Sequence, residues 1–218
     1  MLFKRQSCVP EIDETNKDLP VIITIARDFG AEGHAIGRKL SERLSIPLYD
    51  NELLQRNSLL SGEPVDTVAE YDERMASEML AFLPDATDNR TASDKLFQNM
   101  SQVIAQLGER ETCIIEGRLS DYLLRDNPNM ISVLITAPFD FRVEIVRNKR
   151  GLSVSQGRKL VRQRQHEREL FYKRYSRNKW RMDSCKDLVL NRAKLGIEGC
   201  VDILEAAYKT KCREVASR

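Results

Sequence analysis

Between residues 27 and 33 the chain reads Arg27-Asp-Phe-Gly30-Ala-Glu-Gly33, directly after a charge-free β-branched run, Val21-Ile-Ile-Thr-Ile-Ala26. A helical pattern follows, with Ile36, Leu40 and Leu44 recurring every fourth residue. A glycine-bearing turn between a buried strand and a helix aims backbone N–H groups and the positive end of the helix dipole at one point. That is chemistry for an anion. Gly30 and Gly33 allow the turn and the close approach of a phosphate, although many such turns use glycine for geometry alone. The loop is not a standard Walker A sequence. That motif ends in Gly-Lys-Ser/Thr, the lysine reaching the transferring phosphates and the hydroxyl holding Mg²⁺. Here Gly30-Ala-Glu-Gly33-His-Ala-Ile carries neither.

Further charge sits at other candidate strand ends. Cys113-Ile-Ile-Glu-Gly117 reads as a buried strand with Arg118 just beyond it. An arginine in a cleft is costly unless paired, so either a ligand anion or a structural carboxylate must neutralise it. Glu116 could supply that carboxylate. From Arg142 to Arg181 there are 14 Lys/Arg against 3 Asp/Glu, although the whole chain has a net charge of only +2. Such a segment suits nucleotide phosphates or a nucleic-acid backbone, or is merely a solvated helix face.

The elements that must position these groups follow from periodicity. Val21–Ala26 is the pattern of a strand buried on both faces. Ile46-Pro-Leu-Tyr-Asp50, Cys113–Gly117, Ile131-Ser-Val-Leu-Ile-Thr-Ala137 and Asp187-Leu-Val-Leu-Asn191 are four more strands. Helical patterns lie between them. Asp140 is the expected N-cap of one helix and Gly151 its stop, and Gly196 to Lys211 forms the last helix. Residues 51–110 are mostly helical in pattern. The basic stretch from Ser153 to Trp180 is helical but poor in apolar residues, as suits a cover over a site. Five strands alternating with helices predict an α/β fold, a five-stranded parallel sheet with helices on both faces. Ligands then bind beyond the carboxyl ends of the strands. Residues 27–33, 50–56, 116–118, 137 and 191 become the functional shortlist.

At 218 residues, 41% hydrophobic and 31% charged, the chain has the composition of one ordinary globular domain. No apolar run approaches the roughly 20 residues of a membrane helix. Residues 1–20 lack a secretory h-region and read as a flexible leader to a domain spanning 21–218. Five scattered cysteines without a C-x-x-C pair argue against a disulfide framework or a zinc site, and fit reduced thiols in the cytoplasm. His34 and His166, the only histidines, exclude multi-histidine metal sites. Serine- and cysteine-nucleophile hydrolases lack their partners here.

Ile23-Thr-Ile-Ala-Arg-Asp-Phe-Gly30, Gly33, Ile36-Gly-Arg-Lys-Leu40 and Ile46-Pro-Leu-Tyr-Asp50 together resemble the opening of the cytidylate-kinase-like family. The likeness continues through Ile115-Glu-Gly-Arg118, Ser120-Asp-Tyr-Leu-Leu-Arg125, Gly151-Leu-Ser, Phe171-Tyr-Lys-Arg-Tyr175, Trp180 and Asp187–Asn191, spanning Val21 to about Leu204. Laid on a cytidylate kinase loop, Gly33 stands at the lysine and Ala35 at the threonine.

The resemblance implies an ATP-dependent nucleoside monophosphate kinase with Mg²⁺, acting on CMP, dCMP or a related phosphorylated acceptor. ATP phosphates are expected on Arg27, Gly30, Ala31, Glu32, Gly33 and His34, with Arg27 supplying charge that the absent lysine would have given. His34 stands where the family often has an arginine. The acceptor is expected on Asp50, Arg56, Arg118 and Asn191, within a helical region at about 51–110. Arg118, Arg164 and Arg168 are the expected catalytic cations, the last two on a basic lid at about 151–182 that also carries Arg162 and Arg174. Glu116 matches a family aspartate and is a candidate to hold Mg²⁺ through water. Asn191 stands where the family has an aspartate, which weakens the case for unchanged cytosine selectivity. Two alternatives stand beside the enzyme: a nucleotide-binding module that has lost turnover and, more weakly, nucleic-acid binding through the basic segment.

Overall fold

The computed structural model describes residues 19–50 and 92–218, without the side chains of Ala92, Ser93, Lys95 and Leu96. Along the chain these form β1 (Ile22–Arg27), α1 (Gly33–Leu44), β2 (Leu48–Tyr49), α2 (Ala92–Arg110), β3 (Cys113–Glu116) and α3 (Ser120–Leu123). There follow β4 (Met130–Thr136), α4 (Phe139–Arg150), α5 (Val154–Tyr175), β5 (Leu188–Asn191) and α6 (Arg192–Ala216). The five strands pair in parallel in the order β2-β3-β1-β4-β5. This is the expected architecture.

β1 lies at the centre, and its alternate side chains enter different cores. Ile23 and Ile25 pack with Ile36 and Leu40 of α1 and with Val201 and Leu204 of α6. Ile22 faces Met100, Val103, Ile104 and Leu107 of α2. Both faces are therefore apolar, which is why the strand reads as a continuous run and not an alternation. Its register brings Ile25 beside Glu116, and the Gly117 amide donates to the Ile25 carbonyl at 2.9 Å. The ends of β1 and β3 thus meet where the loop before α1 begins.

Three details depart from the sequence patterns. Pro138, not Asp140, stands at the N-cap of α4; Asp140 is in the first turn and ion-pairs with Arg158. α6 begins at Arg192, capped by Asn191, and breaks at Gly196 (φ 73°, ψ 176°), where the expected helix starts. The basic helix α5 is a core element: Val161 packs on Val143 and Val146, while Tyr172 joins Leu119, Leu134, Trp180 and Met182. Its start carries a reciprocal capping box between Ser153 and Gln156.

Cys113, Cys200 and Cys212 are not in disulfides. Among the described residues no helix is long and apolar enough to cross a membrane. The leader, residues 51–91 and with them Arg56 lie outside the described residues.

Candidate active site

The loop from β1 to α1 is built around backbone that favours glycine. Gly30 has φ 86°, and a Cβ there would stand 2.9 Å from the Arg142 carbonyl oxygen. Glu32 is left-handed as well (φ 58°) without being glycine. The bond from the Ile36 amide to the Glu32 carbonyl, 3.2 Å, opens α1, so the Gly33, His34 and Ala35 amides stand ahead of it at the positive end of the helix. This is the anion-binding geometry that the strand–turn–helix pattern implies.

Arg27 crosses this bend. A Cβ on Gly33 would lie 2.6 Å from the Arg27 Cβ and 2.9 Å from its Cγ; one on Gly117 would lie 2.0 Å from its Nη1. The arginine stem therefore runs over Gly33, and the guanidinium ends against the left-handed Gly117 (φ 70°). Both glycines exist to let it through. Arg27 Nε sits 2.6 Å from Oε1 of Glu116, whose side chain is fully buried.

From Glu116 a series of alternating charges runs outward. Its Oε2 contacts His34 Nδ1 at 2.7 Å, His34 Nδ1 is 3.5 Å from Asp50 Oδ2, and Asp50 Oδ1 is 3.9 Å from Arg118 Nη2. The hydrogen bond to Glu116 raises the His34 pKa above its ordinary value, with Glu116 and Asp50 charges adding to it against the pull of burial. Burial alone would raise the Glu116 pKa, but the Arg27 charge and the His34 bond outweigh it and leave the carboxyl below its usual range. His34 thus has the means to carry a positive charge beside Glu116.

His34 Nδ1 and one carboxylate oxygen each of Asp50 and Glu116 lie within 4.8 Å of one another, a spacing that could hold a metal ion. An imidazole with two carboxylates suits a transition ion better than Mg²⁺. Both carboxylates already face guanidinium groups, so the cluster is better matched to a proton on His34 than to a second cation.

Residues 22–194 match the model of the Cytidylate kinase-like family. The chain belongs to that family. A solved structure of an uncharacterized protein from Eubacterium ventriosum is similar at 23% identity and a TM-score of 0.65, over 87% of this chain and 98% of that one. Shikimate kinase from Bacteroides thetaiotaomicron superposes with a TM-score of 0.51 at 13% identity, over 87% and 98%. These likenesses establish the fold, that of P-loop kinases. No curated protein matches the sequence.

Of the residues expected to form the family's site, the structure gathers Arg27, Gly30, Ala31, Glu32, Gly33, His34, Asp50, Glu116 and Arg118 around one loop. Arg168 reaches it from α5, donating to the Arg27 carbonyl at 2.9 Å and lying over the Phe29 ring at 5.3 Å. Arg164 pairs with the buried Glu167 at 3.1 Å. Asn191 turns its carboxamide to the Ala193 amide as a helix cap, 3.0 Å, which gives it a structural duty at the strand end.

Three residues of the site escaped sequence reasoning. Lys149 and Arg192 clasp the Glu32 carboxylate at 2.9 and 2.6 Å, and hold its pKa below the usual value against the opposing effect of burial. Gln165 docks α5 on the loop, accepting from the Phe29 amide at 3.0 Å and donating to Asp28 at 3.1 Å. The one sequence signal for Gln165 is its helical spacing from Arg168 along α5. Nothing local marks Lys149 or Arg192 as partners of Glu32.

Proposed function

We propose that this chain is a nucleoside monophosphate kinase that moves the terminal phosphoryl group of ATP onto the phosphate of CMP, dCMP or a close relative. The observation that carries this reading is the path of Arg27. A loop that keeps its amide cradle but loses its lysine needs another fixed cation, and Arg27 passes over the lysine's position with its guanidinium anchored by Glu116. In this reading ATP phosphates rest on the amides of the Gly30–Ala35 bend, and Arg118 holds the acceptor phosphate, with Arg56 as its expected helper. Arg168 brings positive charge from the α5 side. The acceptor phosphate oxygen attacks the terminal phosphorus of ATP, the bond to the bridging oxygen breaks, and ADP leaves. Positioning and charge neutralisation suffice for such a transfer, so no protein nucleophile is required.

The family also implies Mg²⁺. Ala35 offers no hydroxyl to it, and the oxygen donors in reach of the bend, Glu116 and Asp50, already face arginines. That donor set fits contact through bound water. When bound, Mg²⁺ would supply positive charge to offset that of the nucleotide phosphates.

A second reading, a nucleotide-binding module without turnover, draws support from the missing hydroxyl at Ala35. Nucleic-acid binding draws less, because Arg158, Arg164, Arg168 and Arg174 of the basic segment are engaged within the chain. Incubation with ATP, Mg²⁺ and a panel of nucleoside monophosphates separates the readings. Diphosphate formation that falls about 10²-fold or more in Arg118→Ala supports the kinase. Tight ATP binding with no product would replace it by the module.

A further inference from the structure

Arg118 stands in an unusual piece of backbone. Gly117, Arg118 and Leu119 are consecutively left-handed, with φ of 70°, 58° and 60°. For a residue with a side chain that conformation costs about 1–2 kcal/mol, and it persists only where the surroundings over-determine it. Part of the restraint is local: Gly117 is bonded to Ile25, Ser120 donates to the Gly117 carbonyl at 3.1 Å, and Leu119 is fully buried.

Asp121, in the first turn of α3, is 1% exposed and bound from three separate segments. Its Oδ1 accepts from the Tyr172 hydroxyl of α5 at 2.9 Å. Its Oδ2 accepts from the Trp180 indole N–H at 2.8 Å and ion-pairs with Lys186, itself buried just ahead of β5. A buried ion pair is a weak source of stability, since desolvation opposes the attraction. Geometry is what such a node secures. Here it ties the short helix that follows the strained turn to α5, the same helix that reaches the loop through Gln165 and Arg168.

We infer that Asp121 is a positioning residue for Arg118: by fixing α3 to α5 and Trp180, it holds the left-handed turn that aims the Arg118 guanidinium. This rests on the kinase reading only for the ligand that Arg118 meets. The direct test replaces both buried charges together, as Asp121→Asn/Lys186→Met, so that no lone charge is left inside, and confirms folding by circular dichroism. In wild type the Arg118 Nε–Hε signal is assigned by its loss in Arg118→Lys. In the folded double variant that signal should shift or broaden, and the KM for CMP should rise about tenfold, roughly 1.4 kcal/mol, with kcat changed much less. Adding Arg118→Ala to the double variant should raise KM no further than Arg118→Ala alone. An unmoved Arg118 signal in the folded double variant overturns the inference whatever the activity. A moved signal with a CMP affinity that ignores even Arg118→Ala upholds the positioning and overturns the kinase reading instead. Should the double variant not fold, Trp180→Phe removes one of the three restraints alone, and the same signal must then shift.

Discussion

The stem of Arg27 lies where a side chain on Gly33 would have to start, with 2.6 Å between the Arg27 Cβ and a Cβ built on Gly33. The two positions are therefore exclusive: a lysine at 33 and an arginine at 27 cannot both occupy this bend as it is folded.

Placing a lysine at position 33, as Gly33→Lys, should therefore harm the protein. Overpacking of this kind costs about 1–3 kcal/mol, read as a lowered melting temperature, and ATP affinity should fall because the Arg27 guanidinium is pushed off Glu116. Removing the obstacle as well, in Arg27→Ala/Gly33→Lys, should recover ATP binding by about tenfold over the single variant in calorimetric titration. A single Gly33→Lys as stable as wild type would show that the two side chains do not compete.

His34 gives a pH dependence of definite sign. Its folded pKa is raised by Glu116 and Asp50 above the ordinary 6.5, so the folded state holds the proton more tightly than the unfolded chain. The stability this adds is fully present below pH 6.5 and is lost as the pH rises through the folded value. Half of the His34 side chain is exposed, so solvent screens the effect and it should be modest. Relative to His34→Asn, wild type should melt higher at pH 6 than at pH 8, and the His34 ring signals should titrate above 6.5. Titration below 6.5 contradicts the charge series.

Much of this was legible beforehand because buried parallel strands announce themselves. Val21–Ala26 and Ile131–Ala137 contain no charge and nothing but apolar or small polar residues, and each is a central strand. Gly30, Gly33 and Gly151 marked turns for reasons of backbone freedom, and two of them are left-handed as expected. Gly33 is not; it is glycine because another residue's side chain passes over it. That reason is invisible locally, since it depends on the pairing of Ile25 with Glu116 that brings Gly117 alongside. The core role of α5 was hidden for a different reason. Its buried positions, Val161, Glu167 and Tyr172 among them, are few and spread among cations, so the apolar stripe is too sparse to read. Asn191 looked like a ligand residue because strand ends line the cleft, but an asparagine there is equally suited to cap the helix that follows.

Glu32 offers a test of whether the loop is held back by its own side chain. As a left-handed residue other than glycine it carries about 1 kcal/mol of backbone strain, while its carboxylate engages Lys149 and Arg192. Glu32→Gly relieves the strain and loses the pairs, so the melting temperature should change little. It also releases two cations beside the phosphate bend, and ATP should bind several-fold more tightly, with a steeper dependence on salt. An unchanged ATP affinity would mean that Lys149 and Arg192 face away from the nucleotide.

Glu116 is the residue on which the charge series hangs, and Glu116→Gln separates its charge from its shape. The side chain is buried, with Arg27 on one oxygen and His34 on the other, so removing the charge strands two positive groups against a neutral amide. Breaking a buried pair in this way costs about 3 kcal/mol at neutral pH. The loss should shrink in acid. Wild-type Glu116 has a folded pKa below the ordinary 4.5, so its contribution is present above pH 4.5 and disappears as the pH falls through the folded value. The two melting temperatures should therefore converge in acid. In the same variant the largest influence raising the His34 pKa is gone, and the ring should titrate lower than in wild type. Parallel melting curves across that range, together with an unmoved His34, would place the stabilising charge elsewhere and leave Arg27 without its anchor.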